Sequence, residues 1–295
     1  MNALWMLLAA FWFALMAVGI KYASGSFSTF ELVFYRGIIS ILFMGTVMHF
    51  KGISAKTRYP AMHLWRSIIG VASLGSWFFA IAHLPLPTAM TLNYMSGIWI
   101  AAFVVGGSLM FGKQQPQGLL LLSVLMGFVG VILALRPSLD QSQLFAGLVG
   151  LLSGLGAALA YMQVSALGQI GEPEERTVLY FSIGSAVVGL LGMPLTDNLP
   201  WHAVALRDAL WVVPIGIFAS LGQWCMTRAY RDGPSLVVAS MQYGGIVFAS
   251  IFSLVLFGDQ IPASGWAGIA IIIVSGILAT AVRTKALPDT PAEDH

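Results

Sequence analysis

Apolar residues run through this chain in long blocks, and the charged ones crowd into the short gaps between them. Ten blocks stand out, at 3–22, 29–48, 63–83, 88–111, 117–135, 144–167, 176–195, 207–228, 235–257 and 263–282. Crossing about 30 Å of hydrocarbon takes roughly 20 mostly apolar residues in a helix, and each block is near that length. Stretches such as Leu119-Leu120-Leu121-Leu122 and Ile269-Ala270-Ile271-Ile272-Ile273 do not alternate, as the strands of a membrane barrel would. Backbone polar groups in lipid must pair within their own segment, which makes the blocks helices. The pattern predicts an all-α integral membrane protein with ten transmembrane helices.

Composition agrees, with 58% of residues hydrophobic and 9% charged, against roughly 25% charged in a soluble chain. The first block lacks a positively charged leader and nine more spans follow it, so it is expected to be retained rather than cleaved. Cys225 stands alone, so no disulfide forms within the chain. Placing the N-terminus in the cytoplasm puts Lys51, Lys56, Arg58, Arg66, Lys113, Arg176, Arg228, Arg231, Arg283 and Lys285 on that side. The other side receives only Lys21, Arg136 and Arg207. Basic residues near span ends stay cytoplasmic, so both termini are expected in the cytoplasm, with the chain crossing the cell inner membrane many times.

The chain also repeats itself. Gly75-Ser76-Trp77 recurs as Gly222-Gln223-Trp224, and at the same spacing Ser73 matches Ser220, Pro87 matches Pro234 and Gly97 matches Gly244. After a one-residue slip, Phe111-Gly112-x-Gln114-x-Pro116 matches Phe257-Gly258-x-Gln260-x-Pro262. This divides the chain into a five-helix unit at 1–140, a second at 141–285 and a polar tail at 286–295. An odd number of helices per unit makes the second copy enter the membrane from the opposite side. Such five-plus-five inverted repeats recur in secondary transporters, with the substrate site near the midplane between halves.

The ten spans, the repeat and the Phe-Gly-x-Gln-x-Pro turns resemble the drug/metabolite transporter superfamily, in its EamA-type branch. Phe34-Tyr35-Arg36 is similar to that family's aromatic–Arg pattern in the second helix. Many members carry a proline midway along the fourth and ninth helices, where this chain reads Tyr94-Met95-Ser96-Gly97 and Gln242-Tyr243-Gly244-Gly245. Gly97 and Gly244 are expected to act there as flexible gating points. The resemblance implies that helices 1, 3, 4, 6, 8 and 9 line a central cavity.

Polar and small residues deep in a span should face protein or cavity rather than lipid. Ser73/Trp77 and Ser220/Trp224 are pairs at i,i+4, each on one helix face. Asn93, Ser96 and Gly97 share a face of the fourth span, as do Ser240, Tyr243 and Gly244 of the ninth, with Tyr94, Trp99 and Gln242 nearby. Trp12, Tyr161 and Gln163 add to the substrate-binding candidates from the first and sixth spans. The plainer alternative for Asn93, Gln163, Gln223 and Gln242 is a hydrogen bond between helices. Trp5, Trp65, Trp201, Trp211 and Trp266 lie near span ends and read as interfacial anchors. Arg36 lies about two turns inside the second span; it either snorkels outward, with Glu31 in reach, or meets a substrate carboxylate or gates the outer mouth.

Absences narrow the function. No Asp, Glu or His falls in the middle of any span, which disfavours proton-driven export of cationic drugs, because a cation would lie unpaired in low dielectric. A neutral, zwitterionic or aromatic solute fits the indoles, phenols and amides better. Intramembrane proteolysis lacks its paired Asp or Ser–His, metal catalysis lacks a ligand cluster, and no phosphate-binding loop exists. The chain is therefore expected to be no enzyme and to use no cofactor and no metal. Glu172, Glu174 and Glu175 are expected in a solvated loop at 169–176. The reading is a secondary transporter for a small organic metabolite, with an exporter of amino acids including aromatic ones, of the YddG-like kind, as the picture within the family. An importer of a vitamin or nucleoside-like metabolite, or a non-catalytic subunit of a complex, are the alternatives. Expected partners are the small-molecule substrate and membrane lipid, not nucleic acid, with the chain a monomer or homodimer.

Overall fold

The computed structural model describes residues 4–100, 102–103, 122, 125–126, 129–130, 133, 141–195, 209–232, 238, 241–258 and 261–284. Most of the fifth span, the Phe111–Pro116 turn, Trp201, Ser240, the basic residues Lys113, Arg136, Arg207 and Lys285, and the polar tail lie outside them.

Helices follow the apolar blocks: α1 Leu4–Ala23, α2 Thr29–Lys51, α3 Pro60–His83, α4 Leu86–Tyr94, α5 Gln141–Gln169, α6 Glu174–Gly192, α7 Val212–Asp232, α8 Gly244–Phe252 and α9 Ala263–Thr284. Among the described residues, α1, α2, α3, α5 and α6 are each long and apolar enough to cross a membrane. Their ends are set by local chemistry. Ser28 and Glu31 form a capping box at the start of α2, and Gly52 ends that helix at φ 65°, in the left-handed region that favours glycine. Pro60 opens α3 where its missing N–H costs nothing.

In place of one continuous fourth helix, α4 stops at Tyr94, Met95 forms a turn, and helix resumes at Ser96. The ninth span breaks at Gln242 and Tyr243, the residues before α8. Both breaks fall in the two stretches, Tyr94–Gly97 and Gln242–Gly245, that the resemblance singled out. At each, the turn comes just ahead of the glycine that the spacing singled out rather than at Gly97 or Gly244 itself. A glycine is compatible with a helix interior; in the ninth span it is the turn ahead of it that departs from the ladder, with Gly245 and Ile246 bonding back three residues instead of four. Past α8, Ser253–Phe257 widen into a π-helical turn that Gly258 ends at φ 62°.

The helices pack in pairs distant in sequence: α2 on α6, α3 on α5, α1 on α7, and α4 on both α5 and α8. Glycines let backbones meet. A side chain at Gly37 would come within 2.6 Å of the Ala186 amide, and one at Gly189 within 2.6 Å of the Phe34 amide. Such close approach is how helices associate where lipid offers no hydrophobic drive. The perimeter is apolar, with Phe50, Leu42, Leu191 and Val255 more than half exposed. Water would not tolerate that surface; hydrocarbon does.

Candidate functional site

A narrow cavity of about 30 Å³ lies at the centre, walled by α1, α3, α4, α5, α6 and α7. Its lining includes Ser73, Trp77, Asn93, Tyr94 and Tyr161, and also Phe13, Arg66, Phe181 and Gln223. The size admits a water or two and no metabolite, since ligand pockets run to about 300 Å³ or more. The helices must part before a solute fits.

Some lining groups are spent on structure. Ser73 Oγ donates to the Ser153 carbonyl at 2.7 Å, and Asn93 Nδ2 donates to Ser153 Oγ at 3.1 Å. Others are not. Trp77 Nε1, Tyr94 Oη, Gln223 Oε1, and Arg66 Nε and Nη1 are buried and make no hydrogen bond among the described residues. Buried polar groups are seldom left so, and these surround one space.

Two arginines deepen the contrast. Arg66 sits 3% exposed and Arg36 1% exposed, their guanidinium carbons 4.1 Å and 5.0 Å from the Phe181 ring centre. Arg36 Nη1 donates to Ser185 Oγ at 3.2 Å, and its Nε finds no partner among the described residues. Arg36 therefore does not snorkel to the outer leaflet. Glu31, its suggested partner, accepts from the Ser28 amide at 2.8 Å in the helix cap. Gly70, one turn on from Arg66, makes room for it, because a Cβ there would collide with the guanidinium.

The two breaks meet beside the cavity. Gln242 Nε2 donates to the Tyr94 carbonyl at 3.3 Å and to Ser96 Oγ at 2.8 Å, so a side chain from one interrupted span caps the other. Tyr94 lies against Gly245.

At the end where the basic residues gather, the segment 169–176 is not a solvated loop. Glu172, Glu174 and Glu175 are 5%, 5% and 2% exposed. Glu172 binds His63 Nε2 at 2.9 Å and Arg176 at 3.1 Å, Glu175 binds Lys51 at 2.6 Å, and Glu174 pairs with Arg231. Bases from α2, α3 and α7 thus draw the acids under cover, which a run of charged residues read by itself cannot reveal. Burial pushes the Glu172 carboxyl up, but hydrogen bonds from His63, Thr57 and Arg176 outweigh it and hold the group below the ordinary glutamate range. At the opposite end Lys21 Nζ donates to the Leu84 carbonyl at 2.8 Å, and Tyr22 stacks on Trp211 at 5.1 Å.

The remaining candidates lie elsewhere. Trp12 stacks on Phe218 at 5.6 Å. Ser220 Oγ donates to the Gly216 carbonyl at 2.7 Å and lies 2.8 Å from the Ser40 hydroxyl, which can donate to it, and Trp224 lies under Lys51 Nζ at 4.9 Å. The Ser220/Trp224 face thus turns toward α2, whereas Ser73/Trp77 turns to the cavity. Trp99 and Gln163 are half-buried outside the cavity lining, and so is buried Tyr243. Sequence reasoning passed over Arg66 by counting it with the loop bases. The signal was present, since residues 66, 70, 73 and 77 fall on one helical face.

The EamA-like transporter family matches residues 1–136 and 144–281 of this chain. The Pseudopaline exporter CntI of Pseudomonas aeruginosa is 31% identical over 94% of both chains. A Riboflavin transporter of Vibrio cholerae is 26% identical over 96% of this chain and 94% of its own. A solved structure 17% identical superposes with a TM-score of 0.69 over 97% of this chain and 99% of its own, which shows the fold. The polar central cavity, the apolar perimeter and these likenesses converge: the chain belongs to the EamA-like transporters of the drug/metabolite transporter superfamily, multi-pass membrane proteins that carry small molecules and are not enzymes.

Proposed function

We propose that this chain is a secondary transporter that exports amino-acid-type metabolites, aromatic ones included, across the inner membrane by alternating access. The observation that carries the reading is the ring of unsatisfied buried polar groups on Arg66, Trp77, Tyr94 and Gln223 around one central space. Indole and phenol faces offer an apolar body its contacts, and the amide and guanidinium offer a carboxylate its hydrogen bonds. The ionic contacts at one end and the Lys21 and Tyr22 contacts at the other serve as the two gates, with the helix breaks beside Gly97 and Gly244 as hinges. The two halves, 1–140 and 141–285, exchange roles as the site opens to either side, with both termini cytoplasmic.

Counterflow tests this. Liposomes holding only the purified protein are loaded with unlabelled phenylalanine and offered a trace of labelled phenylalanine outside. Label accumulates with the native chain and falls at least tenfold with Trp77→Ala. Accumulation unaffected by Trp77→Ala discards this cavity as the site; no accumulation with any amino acid discards the amino-acid reading. The similarity to a riboflavin transporter makes vitamin import the second reading, tested by riboflavin in the same vesicles.

A further inference from the structure

We infer that the passage between the central cavity and the basic end runs along one face of α7, over Gln223, Thr227 and Tyr230, and takes the polar head of an amino-acid solute past hydroxyl groups. The inference rests on the proposed carrier reading and assigns its route at that end. Residues 223, 227 and 230 are spaced i, i+4 and i+7, and so share a face of the helix. All three are buried, at 7%, 4% and 2% exposed. Gln223 Oε1, Thr227 Oγ1 and Tyr230 Oη make no hydrogen bond among the described residues. The face spans about 10 Å of α7 at the helical rise per residue. Gln223 lines the cavity, and the residue after Tyr230 is Arg231, which pairs with Glu174 at the basic end. The polar stripe therefore begins at the cavity and ends at the gate.

The facing residues agree. Tyr161 of α5, which lines the cavity, stacks on Tyr230 with ring centres 5.2 Å apart. Two turns further along α5, Gly168 admits Arg231, whose side chain would lie 2.9 Å from a Cβ there. Tyr243, in the break of the ninth span, comes within electrostatic reach of Tyr230, and its hydroxyl is also buried without a partner among the described residues. Packing alone gives no reason for such a face, because an unsatisfied buried hydroxyl costs more than an apolar group of the same shape. Polar groups deep in a span mark solute pathways. A hydroxyl donates and accepts, so the same groups serve a carboxylate and an ammonium in turn, while the stacked phenol rings offer an aromatic body a face. Parting of Arg231 from Glu174 opens the stripe to the basic end.

The experiment places single cysteines in a Cys225→Ala chain in nanodiscs, Thr227→Cys on the stripe and Ala229→Cys beside it, at similar depth and equally buried. A small maleimide reacts only where water reaches the thiol and lets it ionise. With the end released by Glu174→Gln, Thr227→Cys should label about tenfold faster than Ala229→Cys. Thr227→Val and Tyr230→Phe each remove one hydroxyl and keep the shape. Each should slow phenylalanine counterflow about fivefold, the worth of one hydrogen bond, without lowering the melting temperature.

Equal labelling of the two cysteines, or a melting temperature lowered by both hydroxyl deletions with counterflow unchanged, overturns the inference and makes the stripe structural. Faster labelling of Thr227→Cys without counterflow of any amino acid would keep the passage while discarding the amino-acid reading. Counterflow by a chain whose two cysteines label alike would do the reverse.

Discussion

Gly154 sits on α5 directly against the last carbonyls of α4, where a Cβ would run into the Leu92 carbonyl and come 3.2 Å from that of Asn93. Backbone cannot step aside as a flexible side chain can, so the close approach depends on hydrogen at this position. Gly154→Ala is expected to cost about 1–3 kcal/mol, as overpacking does, and to lower the melting temperature measurably. An unchanged melting temperature would mean that α4 and α5 slide freely here. Among polar residues, the same one-dimensional information serves unevenly. Ser73, Trp77, Asn93, Tyr94 and Tyr161 were legible because depth in a span and helical spacing place them on an inward face. Trp224 matched Trp77 in sequence and took a different neighbour, because the packing of α7 on α2 decides which side of that helix looks inward.

For the elements, the five long helices α1, α2, α3, α5 and α6 follow their apolar blocks to within a few residues, since the hydrocarbon core allows little else. The interruptions did not show themselves in hydropathy. They follow from side chains that supply what the backbone ladder lost, chiefly Gln242 at the Tyr94 carbonyl and Ser96 hydroxyl. Gln242→Leu is expected to cost under about 2 kcal/mol and to act locally. Hydrogen exchange should quicken at the Trp99 amide, which bonds the Met95 carbonyl at 3.0 Å, while α5 stays protected. Uniform protection in the variant would show that the break holds itself without Gln242.

In the whole molecule, the ionic contacts at one end tie α2, α3, α6 and α7 together, which in the proposed carrier closes that end. Glu172 has a carboxyl held below its ordinary range, so its contribution is complete above the unfolded glutamate value of roughly 4.3. It is lost as pH falls through the depressed native value. Thermal stability should therefore decline on the acid side of that point, and decline less in Glu172→Gln; parallel acid profiles would remove Glu172 from the gate. Cys225 reports opening at neutral pH. It is 4% exposed, six residues before Arg231 on α7. A Glu172→Gln, Glu174→Gln variant should label with a small maleimide several-fold faster than the native chain. Equal rates would show that these pairs do not close the end.

Taken by itself, the sequence determined the solvent and the described helices, while the family came from the resemblance its repeated motifs carry. Solvent and helices depend on sums of local transfer free energy and on spacing along one helix, quantities that neighbours in sequence already contain. Tertiary structure alone decided which faces look inward, that Glu172, Glu174 and Glu175 are covered, and that Arg36 and Arg66 meet at one ring. These depend on pairing between residues far apart in the chain, His63 with Glu172 or Arg36 with Ser185, where each partner is unremarkable until packing brings the other within reach.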